Sequence, residues 1–216
     1  MRLYQFLKKA KVQIKRTFFW NGSKNYWENR YRDGGNSGPG SCDQLAVFKA
    51  NVVNDYVKEK GITRVIEWGC GDGNQLSLAN YPEYVGIDVS QKAIELCEKR
   101  FWGDETKRFI YYDGEIIKEK GELSLSLDVI YHLVEEDIFE TYMSNLFSSS
   151  DKYVCIYSCD FDDDVNIHVK CRKFSKWIEQ HQPNWQLERI IKNIYPYDGS
   201  DITASSWSDF YFYSRV

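Results

Sequence analysis

The chain has 216 residues, 43% of them apolar and 16% aromatic, which fits one large domain or one domain with an appendage and supplies ample material for a core. Disorder as the main state is excluded. The net charge of −4 hides an asymmetry, because residues 1–20 carry Arg2, Lys8, Lys9, Lys11, Lys15 and Arg16 and no acid. The acidic body that remains argues against a nucleic-acid partner and for a small-molecule acceptor.

No run approaches the roughly 20 apolar residues of a membrane span. The six cysteines contain no C-x-x-C pair and the start of the chain lacks a secretory apolar run, so free thiols and a cytoplasmic location are expected.

In chain order, Leu3, Phe6, Leu7, Ala10, Ile14 and Phe18 recur at helical spacing among lysines and predict a basic amphipathic helix. Two readings stay open for it: a peripheral contact with a membrane surface or partner through residues 1–20, or packing on its own body. Residues 21–41 shift to Gly, Asn, Ser and aromatics and predict a loop with one helical turn around Tyr26–Tyr31. Residues 44–60 read as a helix stopped by Gly61.

Strand and helix signals then alternate: strands at 64–68, 84–88, 108–113, 123–128 and 152–158, with helices at 90–101 and 136–147. This is the pattern of βαβ units, an α/β fold with a parallel sheet covered on both faces. A helix over 173–182 and two extended segments around Asp198–Gly199 predict a closing hairpin at the sheet edge. The expected division is an arm over residues 1–43 and a ligand-binding domain over 44–216.

The segment VIEWGCGDGN places Gly69, Gly71 and Gly73 after a strand and before an expected helix, in G-x-G-x-G spacing. A dinucleotide loop needs G-x-G-x-x-G, with its third glycine where Asn74 stands here. Glu67 would oppose a phosphate but suits an ammonium group. Both details favour S-adenosyl-L-methionine over NAD. Asp88, at the end of the second strand, suits a ribose diol, Val89 an adenine face, and Asp113 with Gly114 the adenine amino group. A glycine loop alone would be only a turn; three strand ends in register make a site.

The motifs EWGCGDGNQL, VGIDVS, YYDGE and LSLDVIYHL resemble those of class I S-adenosylmethionine-dependent methyltransferases over about residues 44–160. YWENRY, GGNSGPGS and HVKCRKF are similar to a bacterial subgroup associated with capsule and other surface-polysaccharide biosynthesis. The resemblance implies a Rossmann-like, seven-stranded, mostly parallel sheet with a C-terminal antiparallel hairpin, S-adenosyl-L-methionine as cofactor and S-adenosyl-L-homocysteine as product. The cofactor set it implies is Tyr26, Trp27, Tyr31, Glu67, Gly69, Cys70, Gly71, Asp88, Val89, Asp113, Gly114 and Leu127.

Methyl transfer needs an acceptor atom held in line with the sulfonium methyl. The fourth strand delivers Asp128, Tyr131 and His132 to that position. His132 suits a general base for a hydroxyl acceptor, with Asp128 orienting it or acting itself; capping of backbone groups is the alternative. An [DNS]-P-P-[FYW] motif is absent from the sequence, which favours an oxygen acceptor over a nucleic-acid base nitrogen. Tyr26, Trp27 and Tyr31 are expected to cover the cofactor, or else to tether the arm. Ser37 and Ser41, in the Gly34–Ser41 loop, are candidate acceptor contacts.

His168, Lys170 and Arg172, at period two in an extended segment, suit a phosphate, phosphoramidate or uronate group or form a solvated face. Cys155, Cys159 and Cys171 near His168 lack paired zinc-ligand spacing, so no metal is expected. The leading reading is an O-methyltransferase acting on a small carbohydrate-related or phosphorylated acceptor. Its rivals are a cofactor-binding subunit that has lost catalysis and an NAD-dependent sugar-modifying enzyme.

Overall fold

The computed structural model describes residues 2–201 and 203–216, and side chains of the first helix from Lys9 onward. Leu3, Phe6 and Leu7, expected on the apolar stripe of that helix, have side chains outside the described set. Two helices, α1 (Arg2–Phe19) and α2 (Ser23–Arg32), and a 3-10 turn at Pro39–Ser41 make up the arm. The helical turn expected around Tyr26 is therefore ten residues long. Helix α3 (Asp43–Lys60) follows, closed by Gly61 in the left-handed conformation.

The strands β1 (Arg64–Trp68), β2 (Glu83–Asp88), β3 (Lys107–Tyr111), β4 (Gly121–Leu127) and β5 (Ser150–Ser158) pair in parallel. Between them run α4 (Gln91–Arg100) and α5 (Glu136–Ser148). A short antiparallel pair, β6 (Asp163–Asn166) with β7 (Val169–Cys171), leads through α6 (Phe174–His181) to β8 (Trp185–Ile191) and β9 (Asp209–Arg215). The seven-stranded sheet has the order β3-β2-β1-β4-β5-β9-β8, with β9 antiparallel to both neighbours.

Alternation along each strand feeds two cores. Val65, Tyr84, Leu123, Leu125 and Leu127 pack on one face with Phe48, Val53 and Tyr56 of α3. Ile66, Val85, Ile87 and Ile156 pack on the other with Phe139, Met143 and Leu146 of α5 and Phe174 and Ile178 of α6. Full burial of each large apolar side chain contributes about 1.5–3 kcal/mol. The period-two serines of β4 also lie buried: Ser126 Oγ accepts from Tyr142 Oη at 2.7 Å, and Ser124 Oγ meets Ser149 Oγ at 2.9 Å.

Strand order reverses between β1 and β4, which opens a crevice beyond the carboxyl ends of the strands.

The glycine loop departs from expectation in one respect. It runs into a three-residue 3-10 turn, Leu76–Leu78, instead of an α-helix. The return to β2 at Glu83 leaves too little chain for the three turns of an average helix.

Candidate functional site

A cavity of about 330 Å³ occupies the crevice at the β1–β4 switch point. Its lining gathers Trp27, Tyr31, Ser37 and Ser41 from the arm, Glu67, Gly69, Cys70 and Gly71 from the end of β1, and Asp88 and Val89 from the end of β2. Asp113 and Gly114 come from beyond β3, and Leu127, Asp128 and His132 from the end of β4. Residues as far apart in sequence as Glu67 and His132 therefore line one wall because parallel strands end on one edge.

The loop bends through positive φ at Gly69, Gly71 and Gly73. Gly71 is required for a second reason: a Cβ there would lie 2.4 Å from Ser37 Oγ and 2.9 Å from Tyr31 Oη. That closeness lets the arm bond to the loop. Ser37 Oγ donates to Asp72 Oδ1 at 2.9 Å and sits 3.0 Å from Tyr31 Oη, and Asn74 Nδ2 donates to the Ser41 carbonyl at 2.6 Å. Asn74, where a dinucleotide loop has glycine, thus serves to fasten the arm. Ser90 caps α4 by accepting from Ala93 N, and its hydroxyl donates to Glu28 Oε2 of α2 at 2.6 Å.

Charge in the cavity is mostly carboxylate. Asp88 accepts from the backbone N–H groups of Gly71 and Ser90, both at 2.9 Å, and burial raises its pKa to about 6 despite those bonds. Glu67, 3% exposed, accepts from Tyr84 Oη at 2.6 Å; burial pushes its pKa up to about 7. Asp113 stands exposed at the rim.

Asp128 holds a left-handed backbone, φ 61°, a conformation that asparagine and aspartate tolerate better than other side-chain-bearing residues. Its carboxylate accepts from Lys49 Nζ at 2.6 Å and from Tyr131 Oη at 2.9 Å. Gly40 of the arm lies over it, so close that a Cβ would come within 2.7 Å of Oδ2.

Lys49 is the residue that sequence reasoning missed. It is 1% exposed, on α3, with its Nζ also 5.5 Å from the Tyr157 ring centroid. The signal was present: a lysine at the helical spacing of Leu45, Val53 and Tyr56, on a stripe otherwise apolar.

His132 sits in a short 3-10 turn, Ile130–His132. Its Nδ1 lies 3.1 Å from the His168 carbonyl, a partner that can only accept, so Nδ1 carries the hydrogen and Nε2 is the basic nitrogen. Trp27 packs edge-on to the ring at 5.0 Å. Desolvation lowers the pKa of His132 to about 4, and the ring is neutral at physiological pH.

Five expected residues do not line the cavity. Tyr26 stacks on His168 at 4.8 Å instead, leaving Trp27 and Tyr31 as the arm's aromatic cover. Tyr131 supports Asp128 from behind.

The three basic donors do not line the cavity: Lys170 and Arg172 converge on a protein carboxylate, Glu136 Oε2, at 3.1 and 3.2 Å. Arg172, 6% exposed, donates to the carbonyl oxygens of Leu133 and Val134 and so clamps the start of α5. Lys170 pairs with Glu136 at 3.1 Å, and His168 is committed to ring stacking and to holding His132.

No protein-family model matches the chain, and no curated protein sequence matches it. Solved structures do. The N-methyltransferase NodS from Bradyrhizobium japonicum, in complex with S-adenosyl-L-homocysteine, superposes with a TM-score of 0.68 at 14% identity, over 90% of this chain and 99% of that one. The fold is that of the class I methyltransferases. Magnesium protoporphyrin IX methyltransferase (ChlM) from Synechocystis, with bound S-adenosyl-L-homocysteine, gives 0.65 at 15% identity over 89% and 98% of the two chains. The small RNA methyltransferase HEN1 gives 0.58 at 17% identity over 78% of this chain and 25% of that one. The names of these methyltransferases differ widely in acceptor, so the methyltransferase fold does not choose among acceptors.

Proposed function

We propose that the chain is an S-adenosyl-L-methionine-dependent O-methyltransferase acting on a hydroxyl of a small, carbohydrate-related acceptor, with bacterial surface-polysaccharide biosynthesis as its context. The observation that carries this reading is one cavity in which Glu67, Asp88 and Asp113 at three strand ends face His132 and Asp128 at a fourth. The donor set fits the cofactor. Buried Glu67 suits its ammonium group and Asp88 its ribose hydroxyls, while the glycine loop opens no α-helix and no arginine lines the cavity for the pyrophosphate of NAD.

When bound, the cofactor supplies an electrophilic methyl group. The chain's own residues hold the acceptor and receive its proton. His132 Nε2, neutral and fixed by the His168 carbonyl, is the acceptor of a hydroxyl proton, and the Asp128 carboxylate stabilises the imidazolium that results. Trp27 and Tyr31 exclude water above the site. A hydroxyl acceptor is favoured over an anionic one because Lys170 and Arg172 are already bonded to protein groups.

Titration calorimetry with S-adenosyl-L-homocysteine, followed by turnover with an acceptor panel, tests the reading. Asp88→Ala should weaken binding by about 1.5–3 kcal/mol, the scale of lost hydrogen bonds to a charged group. Unchanged affinity would refute the ribose assignment. Binding without turnover on any hydroxyl acceptor would support a subunit that has lost catalysis.

A further inference from the structure

Among its described side chains, helix α1 docks on the body through Lys9 and Arg16 and leaves Ile14, Phe18 and Phe19 in water. Lys9 pairs with Asp163 at 3.3 Å. Arg16 pairs with Asp164 at 2.6 Å and donates to the carbonyls of Asn166 and Ile167. At 3.6 residues per turn, Lys9 and Arg16 share one side of the helix. Ile14 and Phe18 fall on the opposite side, with Lys11 and Lys15 along one flank of them. Ile14 is 60% exposed, Phe18 75% and Phe19 78%.

A helix that served only to pack on its own domain would turn these three inward and its lysines outward. Here the three stay outward while Arg16 is turned in, held by Asp164 of the acidic β6 strand.

We propose that this outward face of α1 docks on an anionic phospholipid bilayer. The apolar stripe suits insertion at the headgroup boundary, and Lys11 and Lys15 beside it suit anionic headgroups. Charge argues against a second copy as the occupant, since two such faces would bring their lysines together, and no acid lies within residues 1–20 to offset them. Among the described residues no helix is long and apolar enough to cross a membrane, so the contact is peripheral. Ser23, Lys24 and Trp27 of α2 line the cavity, and the link from Phe19 to Ser23 spans at most roughly 14 Å. Docking therefore brings the cavity mouth close to the bilayer.

The proposal stands apart from the methyl-transfer reading. Its test is sedimentation of the full chain with vesicles of phosphatidylcholine alone or with roughly one-third phosphatidylglycerol. Binding should be at least about tenfold stronger on the anionic vesicles and should vanish near 1 M salt, where screening acts within about 3 Å. Phe18→Ser with Phe19→Ser, and separately Lys11→Glu with Lys15→Glu, should each cut binding about tenfold. Both pairs are exposed and leave Lys9 and Arg16 in place, and circular dichroism confirms that the variants fold.

Affinity for S-adenosyl-L-homocysteine should be equal in all three proteins, so failure here is separable from failure of the cofactor assignment. Absence of vesicle binding by the intact chain at low salt overturns the proposal. So does indifference to the charge reversals, or a dimer that the Phe18→Ser and Phe19→Ser changes dissolve.

Discussion

His132 is placed by one backbone contact and by the rings of Trp27, Tyr131 and His168. If it is the base of the proposed reaction, its replacement should affect turnover more than cofactor binding. His132→Ala should lower kcat by about a hundredfold or more on a hydroxyl acceptor while cofactor affinity stays within about twofold. A drop in affinity matching the drop in kcat would mean that the ring serves binding instead. Lys49 and Asp128 form the other pair whose separation is costly. Lys49→Met leaves a carboxylate only 13% exposed in its side chain without its cation, and should destabilise the fold by about 2–4 kcal/mol. Adding Asp128→Asn should recover part of that loss, because the neutral amide does not need the partner; a double-mutant cycle in urea measures the coupling. Two additive losses would show that the ion pair contributes nothing of its own.

At the scale of elements, the arm and the glycine loop act as one unit. Gly71→Ala forces a Cβ at φ 58° against Ser37 and Tyr31, so the arm must lift. Stability should fall by about 1–3 kcal/mol, as for strain at a left-handed position, and proteolysis should reach residues 33–42 at protease concentrations that spare the parent chain. Equal resistance would mean that the loop yields and the arm does not. The strands and α3 to α5 were legible because the sheet buries both faces, so apolar runs alternate with helical periods along the sequence. The acids at strand ends were legible for the same reason, since strand ends can be read locally. What could not be read was complementarity between distant segments. Arg172 looked like a free donor because the carbonyls that claim it lie at Leu133 and Val134. The carboxylate that pairs with Lys49 lies 79 positions away, so the stripe marks the lysine but not its partner. The β6 strand, four residues without full burial, carries no pattern of its own. The helix expected after the glycine loop was lost to chain length.

For the whole molecule, three buried titrating groups around the cavity contribute to the pH dependence of stability. Glu67 and Asp88 have folded pKa values of about 7 and about 6, above their ordinary values of 4.5 and 3.8. The folded state therefore binds more protons, and stability is lost as pH rises through those windows. His132, lowered from 6.5 to about 4, works in the opposite direction: stability is gained as pH rises from about 4 to 6.5. Glu67→Gln removes the steepest loss and should flatten the decline between pH 4.5 and 7 by up to about 3 kcal/mol, read as urea midpoints across pH. An unchanged slope would mean that Glu67 ionises freely. The arm that covers the cavity through Trp27 and Tyr31 is bonded to the glycine loop at Ser37–Asp72 and Asn74–Ser41, and to the start of α4 at Glu28–Ser90. A molecule held beneath such a cover leaves only when several of those bonds open together. Motions of this kind take microseconds to milliseconds, so on the proposed function residues 20–42 should time the release of product, read as a kcat that falls with solvent viscosity.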